Sequence, residues 1–255
     1  MKLTKTLLTS ALLATSIFSF QSTAWADTPE QQFQQVVESY NKRDYQTAFK
    51  LLLPLAEQGN ATAQYNLGQM YRRGEGVKQD DAEAVKWYRK AAEQGDADAQ
   101  FDLGLMYSKG YGVKQDYTEA AKWNRKAAEQ GDADAQFRLG VMYTLGKGVK
   151  KDRSEAEKWY RKAAEQGNID AQNAMGEVYL SGIGVKQNDA EAVKWYRKAA
   201  EQGSATAQHA MGLFYSGTFS VDVIKEDLSK AKEWFRKACD NGSQYACDDL
   251  RKLEK

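Results

Sequence analysis

Two Ser-x-x-Lys pairs are the residues whose types and spacing most resemble acyl-transfer machinery. They are Ser39 with Lys42 and Ser229 with Lys232. In penicillin-recognising enzymes such a pair is accompanied by Ser-Asp-Asn and Lys-Thr-Gly elements, and neither tripeptide occurs in this sequence. We therefore expect no catalytic residue. Hydrolysis or binding of a β-lactam, or of a cell-wall peptide, stays as the alternative.

Metal and cofactor chemistry has few candidate ligands. His209 is the only histidine, so a metal site or a Ser-His pair has one candidate at most. The sequence predicts no metal and no cofactor, and His209 fits a surface position that varies between repeats.

The two cysteines lie in the segment ACDNGSQYAC. An even cysteine count in an exported chain favours a disulfide. Cys239 is expected to end one helix and Cys247 to enter the next, and facing positions across such a turn can meet disulfide geometry. A redox or metal role is the alternative, but no Cys-x-x-Cys motif accompanies the pair. We predict a structural disulfide between Cys239 and Cys247.

Residues 1–26 are typical of a secretory signal peptide. Lys2 and Lys5 precede an apolar run from Leu7 to Phe20, and Ala24-Trp25-Ala26 fits a cleavage site. The sequence predicts cleavage after Ala26, a periplasmic or secreted product and no stable membrane insertion. A retained N-terminal anchor is the alternative.

The charge pattern argues against nucleic-acid binding. The chain has 36 basic and 35 acidic residues, and they alternate along the expected helix faces. A nucleic-acid-binding protein is expected to carry a basic excess or stripe, and this chain has neither.

The elements that must position these residues repeat with a period of 36 residues. The repeat is marked by Gly59, Gly95, Gly131, Gly167 and Gly203, and Gly242 follows after 39. Such self-similarity indicates a solenoid. We divide the chain into a signal peptide (1–26), a capping helical pair (27–58), five repeats (59–242) and a capping helix (243–255).

Each repeat contains two amphipathic helical patterns. Apolar residues in both recur at helical spacing. A glycine interrupts the first helix of every repeat, as at Gly68, although glycine costs about 1 kcal/mol against alanine there. We expect it to admit a bulky neighbour. Asp80-x-x-Glu83 and its equivalents predict capping boxes at the second helices.

The repeated pattern A-x-A-Q-x-x-L-G-x-M-Y-x-x-G-x-G-V-x-x-D-x-x-E-A-x-x-W-Y-x-K-A-A-E-Q-G resembles the Sel-one-like repeat over residues 44–254. The resemblance implies an all-α, right-handed α-solenoid of tandem helix-turn-helix repeats. It also implies a scaffold that binds other proteins. A cysteine-rich branch of the family, labelled β-lactam-binding, has one cysteine pair per repeat, whereas only the last repeat has one here.

The residues that change between repeats are the candidates for specific binding. On the first helix, about 100° per residue places positions 65, 69 and 72 opposite the core stripe. By analogy with the family these positions line the concave face. The candidate binding residues are Tyr65, Gln69, Arg72, Phe101, Leu105, Ser108, Phe137, Val141, Thr144, Asn173, Glu177, Leu180, His209 and Leu213.

Exposed apolar and aromatic residues in a row indicate an interaction surface. We therefore predict a scaffold that binds a protein or peptide partner through this face. Two alternatives stay open: the same side chains could only pack between neighbouring first helices, or the chain could be a structural spacer without a partner.

Overall fold

The computed structural model describes residues 28–219 and 221–254. The predicted signal peptide lies outside the described residues. Over this part of the chain the structure has thirteen helices and no strand. They are α1 Pro29–Asn41, α2 Tyr45–Glu57, α3 Ala61–Arg73, α4 Asp81–Glu93, α5 Ala97–Lys109, α6 Tyr117–Glu129, α7 Ala133–Leu145, α8 Arg153–Glu165, α9 Ile169–Ser181, α10 Asp189–Glu201, α11 Ala205–Tyr215, α12 Leu228–Asp240 and α13 Gln244–Leu253.

The helices form two compact units, which divide after Gln94. Within each unit a helix packs chiefly against its neighbours in sequence, as expected for a solenoid. The all-α solenoid predicted from the 36-residue period is therefore confirmed. In the described residues no helix is long and apolar enough to span a membrane.

Unit 1 contains helices α1 to α4, which share an apolar core. Leu52, Leu67 and Met70 are fully or almost fully buried in it, and Trp87 closes it from α4. The loop after α3 comes so close to α2 that a Cβ at Gly76 would lie 2.1 Å from the Tyr45 carbonyl oxygen. Glycine is therefore required at this position.

Unit 2 contains helices α5 to α13 and a series of small cores. One core joins Leu139 to Trp159, the next joins Met175 to Trp195, and the last holds Phe235 and Leu250. Each core takes residues from consecutive helices, because one amphipathic helix pair cannot bury its apolar face alone.

The glycine inside the first helix admits a ring from the second helix in four repeats, as predicted, whereas Gly104 faces the Asn124 side chain. A Cβ at Gly68 would lie 2.6 Å from Tyr88 Cδ1, and a Cβ at Gly140 would lie 2.6 Å from Tyr160 Cδ1. Real Cβ atoms do not approach so closely, so a larger residue would displace the ring. Glycine lowers the helix propensity at this position, but it allows the two helices to pack closely.

The predicted capping boxes form only one of their two hydrogen bonds. Asp80 accepts hydrogen bonds from the backbone of Ala82 and Glu83, but its own N–H donates to the Tyr71 carbonyl oxygen at 2.9 Å. Glu83 instead pairs with Lys86. The reciprocal bond of a capping box cannot form because the turn already uses the N–H that it needs.

Buried glutamines link the repeats inside the stack, and these links were not predicted from the sequence. Gln136 is buried. Its Nε2 donates to the Ala128 carbonyl oxygen at 3.0 Å, and its Oε1 accepts from Gln166 Nε2 at 2.8 Å. Pairs 30 residues apart recur as Gln64 with Gln94 and Gln172 with Gln202. The recurrence of one polar residue beside the core stripe was the available signal.

The predicted disulfide is present. Cys239 lies in the last turn of α12 and Cys247 in the first turns of α13, with their Cα atoms 4.8 Å apart. The bond closes a short loop and holds the last two helices together.

Candidate functional site

The predicted binding residues lie on the first helices of the repeats, and most are half-buried. Gln69 is buried and Glu177 is exposed, so Gln69 offers little surface to a ligand. The half-buried residues are Tyr65, Arg72, Phe101, Leu105, Ser108, Phe137, Val141, Thr144, Asn173, Leu180, His209 and Leu213.

In unit 1 two predicted residues, Tyr65 and Gln69, make contacts within their own helix pair. The ring centroids of Tyr65 and Tyr88 are 5.8 Å apart, and Gln69 Nε2 donates to the Tyr65 hydroxyl at 2.8 Å. This part of the predicted surface is engaged in packing.

In unit 2 the structure brings Phe101, Ser108, Phe137 and Val141 together around a cavity of about 530 Å³. We call it the α5–α7 cavity, because most of its wall comes from α5 and α7. The other lining residues are Tyr117, Asn124, Asp134, Arg138, Met142, Leu145, Lys147 and Asp170. Their signal in the sequence was weak, because none lies at positions 65, 69 or 72 of its repeat.

The two phenylalanines contribute both to packing and to the cavity. The Phe137 ring centroid is 5.7 Å from that of Tyr160, and Phe101 packs against the core that contains Leu139. Both rings also line the cavity. At its edge Leu145 is 56% exposed, which gives the wall an open apolar side chain.

Charges of both signs surround these rings. The Arg138 guanidinium lies 5.2 Å from the Phe101 ring centroid, and Lys147 Nζ lies 5.1 Å from the Tyr117 ring centroid. Asp134 and Asp170, in the first turns of α7 and α9, also line the cavity. The lining can therefore pair with both acidic and basic groups of a ligand.

Two other predicted residues hold tyrosine hydroxyls in place. Thr144 Oγ1 lies 2.9 Å from the Tyr160 hydroxyl, and Glu177 accepts from the Tyr196 hydroxyl at 3.2 Å. Burial, assisted by the charge of Glu177, raises the pKa of Tyr196 far above its usual range. Both tyrosines are therefore protonated, which suits a structural role.

His209 and Asn173 are engaged in contacts outside the cavity. His209 Nε2 lies 2.9 Å from Asp249 Oδ2 on α13, and Asn173 Nδ2 donates to Ser204 Oγ at 3.0 Å. Partial burial raises the pKa of Asp249, but bonds and charges from Lys252 and His209 outweigh it and lower the pKa overall. His209 thus ties α11 to the last helix.

The Ser-x-x-Lys pairs fall at ordinary helical positions. Ser39 is half-buried on α1, and Ser229 is exposed in the first turn of α12. Among the described residues no group of three His, Cys, Asp or Glu side chains could hold a metal ion.

Asn124, a buried residue of α6 that lines the cavity, was not predicted from the sequence. The equivalent residues are Tyr88, Tyr160, Tyr196 and Phe235. The signal was one departure from an otherwise repeated aromatic position. A single departure of this kind is easily missed when repeats are aligned by the residues that they share.

Comparison with known proteins gives the family. The Sel1 repeat profile matches residues 42–60, 61–96, 97–132, 133–168, 169–204 and 205–243. The chain belongs to the Sel1 repeat family. Sel1 repeats commonly act as protein-interaction scaffolds. No curated protein sequence gives a significant match.

Solved Sel1 repeat structures resemble this one closely. The c5321 protein of uropathogenic Escherichia coli strains, described as a protective antigen with an SLR fold, is 39% identical with a TM-score of 0.83. That match covers 87% of this chain but 48% of the other, so this chain spans about half of it. A Sel1 repeat protein from Oxalobacter formigenes is 38% identical with a TM-score of 0.78, over 84% of this chain and 86% of that one.

Proposed function

We propose that this Sel1 repeat protein is a scaffold that binds a protein or peptide partner across α5 and α7. The observation that carries the proposal is the α5–α7 cavity, which combines aromatic walls, the exposed Leu145 and charges of both signs. Concave sites lined by apolar side chains with a few polar groups are typical binding sites. Binding alone would require no catalytic group at this site.

Rigidity is the physical basis of the proposed binding. The walls of the cavity are held by ring contacts such as that between Phe137 and Tyr160 and by the buried glutamine bonds of Gln136. A preformed surface loses little conformational entropy on binding, which favours affinity.

We also propose that the protein is exported to the periplasm or beyond. The amino-terminal pattern of residues 1–26 fits a signal peptide. The Cys239–Cys247 disulfide suits an oxidising compartment. The description of the 39% identical c5321 as a protective antigen agrees with an envelope or secreted location.

The β-lactam hydrolase alternative has no specific support. Ser229 takes the first-turn position that Ala82 and Ala190 occupy in other repeats, where a catalytic serine is not required. Turnover of a chromogenic cephalosporin that Ser229→Ala or Ser39→Ala abolishes would restore that alternative.

The test of the binding proposal is a peptide selection. We would select peptides from a random display library on the purified protein and titrate the enriched ones by fluorescence anisotropy. The groove variant is Arg138→Ala with Leu145→Ser. It changes one partly and one largely exposed side chain of α7, so the fold should persist.

The matched control is Lys122→Ala with Lys158→Ala, two exposed lysines on second helices. We expect affinity to fall about tenfold or more in the groove variant, since such residues at a binding centre are worth ~1–2 kcal/mol each. The control variant should bind as the wild type does. Equal binding by both variants, or no enriched peptide, would refute the proposed surface.

A further inference from the structure

The α5–α7 cavity lies where a single residue breaks the repeat. Asn124 stands at the position of Tyr88, Tyr160, Tyr196 and Phe235 in the other repeats. It is 1% exposed and lines the cavity. A short amide in place of a ring leaves unfilled the space that the ring would occupy.

In three other repeats the ring at this position pairs with a ring of the first helix, whereas the repeat of Tyr196 has Asn173 at that first-helix position. The Phe137 and Tyr160 centroids are 5.7 Å apart, and the His209 and Phe235 centroids are 5.6 Å apart. Phe101 is the equivalent of Phe137, but Asn124 gives it no ring to pair with. The cavity therefore retains one half of an aromatic pair.

A buried hydrogen-bond acceptor lies at the same place. Asn124 Nδ2 donates to the Ala120 carbonyl oxygen at 2.8 Å, but the buried Oδ1 accepts no bond from the described residues. Buried acceptors are rarely left unsatisfied, so an occupant with a donor is favoured. A second polar residue, Ser108, lines the cavity at the position where Thr144 meets the Tyr160 hydroxyl. Its hydroxyl donates to the Leu105 carbonyl oxygen at 2.9 Å and can still accept a hydrogen bond.

We propose, resting on the binding function above, that the cavity receives a tyrosine side chain of the partner protein. Its ring occupies the space of the missing repeat tyrosine and packs against Phe101. Its O–H donates to Asn124 Oδ1. A leucine or phenylalanine side chain would fill the space but leave the acceptor unsatisfied.

The charges of the lining define the partner segment further. Arg138 and Lys147 lie on the cavity wall with Asp134 and Asp170. A tyrosine flanked by an acidic residue on one side and a basic residue on the other complements these four charges.

The test uses two blocked amino acids, N-acetyl-tyrosinamide and N-acetyl-phenylalaninamide, titrated into the full protein by ligand-observed NMR. They differ by one hydroxyl group. We expect the tyrosine compound to bind with a Kd on the order of 1 mM, as its small size allows. It should bind about tenfold more tightly than the phenylalanine compound, which corresponds to one net hydrogen bond.

Two variants test separately the role of the unfilled volume and the role of the Asn124 Oδ1 acceptor. Asn124→Tyr restores the side chain of three other repeats, fills the cavity and should abolish binding of both compounds. Asn124→Leu nearly keeps the volume but removes the acceptor, so it should bind both compounds equally. Far-UV circular dichroism checks that both variants keep their helical content. If Asn124→Tyr does not fold, Asn124→Leu decides alone.

The proposal is overturned if neither compound binds the wild type, if both bind it equally, or if Asn124→Tyr binds as the wild type does. The proposed binding function would still hold after any of these results, provided that the groove variant binds its selected peptide more weakly than the wild type does.

A second copy of this chain is the competing occupant, because Tyr245 on α13 is 77% exposed. Self-association in sedimentation velocity that both Tyr245→Ser and Asn124→Tyr abolish would assign the cavity to that tyrosine. Such a result would overturn the assignment to a separate partner.

Discussion

At the scale of single residues, the positions that depart from the repeat matter most. Asn124 appears in the sequence as one letter within WNRKAAEQG, where three other repeats have WYRKAAEQG. Sequence reasoning averages over such letters, and it cannot show that the replaced side chain would point into a space between helices. The structure shows this, because Asn124 is both buried and part of the cavity lining.

Two substitutions that exchange the residues of different repeats at this position should change the free energy of unfolding in opposite directions. Asn124→Tyr should raise the free energy of unfolding by about 1–2 kcal/mol, because a ring enters the cavity and removes apolar surface from water. Tyr160→Asn should lower it by about 3 kcal/mol, because it creates the equivalent cavity beside Phe137. Urea denaturation of each variant against the wild type gives both values. A loss of stability in Asn124→Tyr would contradict the account.

The half-buried N-cap Asp132 predicts a pH effect. Burial raises its pKa, and the charges of Asp134 and Asp98 add to this, against the bond from the Ala135 N–H. A raised folded-state pKa means that the native state gains stability as pH falls through that pKa. Asp132→Asn keeps the cap but loses this gain. Its melting temperature relative to the wild type should therefore be higher at pH 7 than at pH 4.

Asp227 is the control with the opposite sign. The Lys230 N–H holds the pKa of this N-cap below its usual value, so its contribution is lost as pH falls. Asp227→Asn should therefore compare better with the wild type at pH 4 than at pH 7. The same trend in both variants would show that N-cap burial does not set these pKa values.

At the scale of elements, the helices and their ends were predictable, whereas the bonds between repeats were not. Apolar spacing and capping residues predicted the helices, and each of the thirteen begins after an Asp, Asn, Ser or Thr N-cap. The prediction of capping boxes was wrong for one of the two hydrogen bonds, because the Asp80 N–H donates to the Tyr71 carbonyl oxygen outside the helix. Local sequence patterns do not contain that tertiary bond.

The buried glutamine bonds should stabilise the stack measurably. Gln136→Leu leaves the Ala128 carbonyl and the Gln166 side chain without their partner. We expect a loss of about 2 kcal/mol, the cost of leaving such groups unsatisfied. The control Gln115→Leu removes an exposed glutamine that bonds to the Ser108 carbonyl oxygen, and it should change stability little. Thermal denaturation compares the two variants, and equal losses would refute a special role for the buried pair.

The disulfide should act on the last two helices alone. In Cys239→Ala with Cys247→Ala, the chain-entropy estimate for the short loop gives a local loss of about 2.5 kcal/mol. Hydrogen–deuterium exchange should become faster in α13 (Gln244–Leu253) and stay unchanged in α5 to α7. Faster exchange throughout unit 2 would mean that the disulfide supports the whole stack.

At the scale of the whole molecule, the solenoid follows from the 36-residue period because each repeat needs a neighbour to bury its apolar face. The face used for binding is less predictable. Helical geometry placed Phe101, Ser108, Phe137 and Val141 together, and they do line one cavity. It could not show that Gln69 is buried or that His209 is tied to Asp249, because both depend on contacts between helices.

The most direct test of the central claim is a methyl NMR titration of the protein with its highest-affinity selected peptide. Val141, Met142 and Leu145 line the α5–α7 cavity, whereas Val193 and Leu250 belong to other cores. We expect the first three methyl signals to shift on binding and the other two to stay in place. Shifts at Val193 or Leu250, with none at Val141, Met142 and Leu145, would contradict binding across α5 and α7.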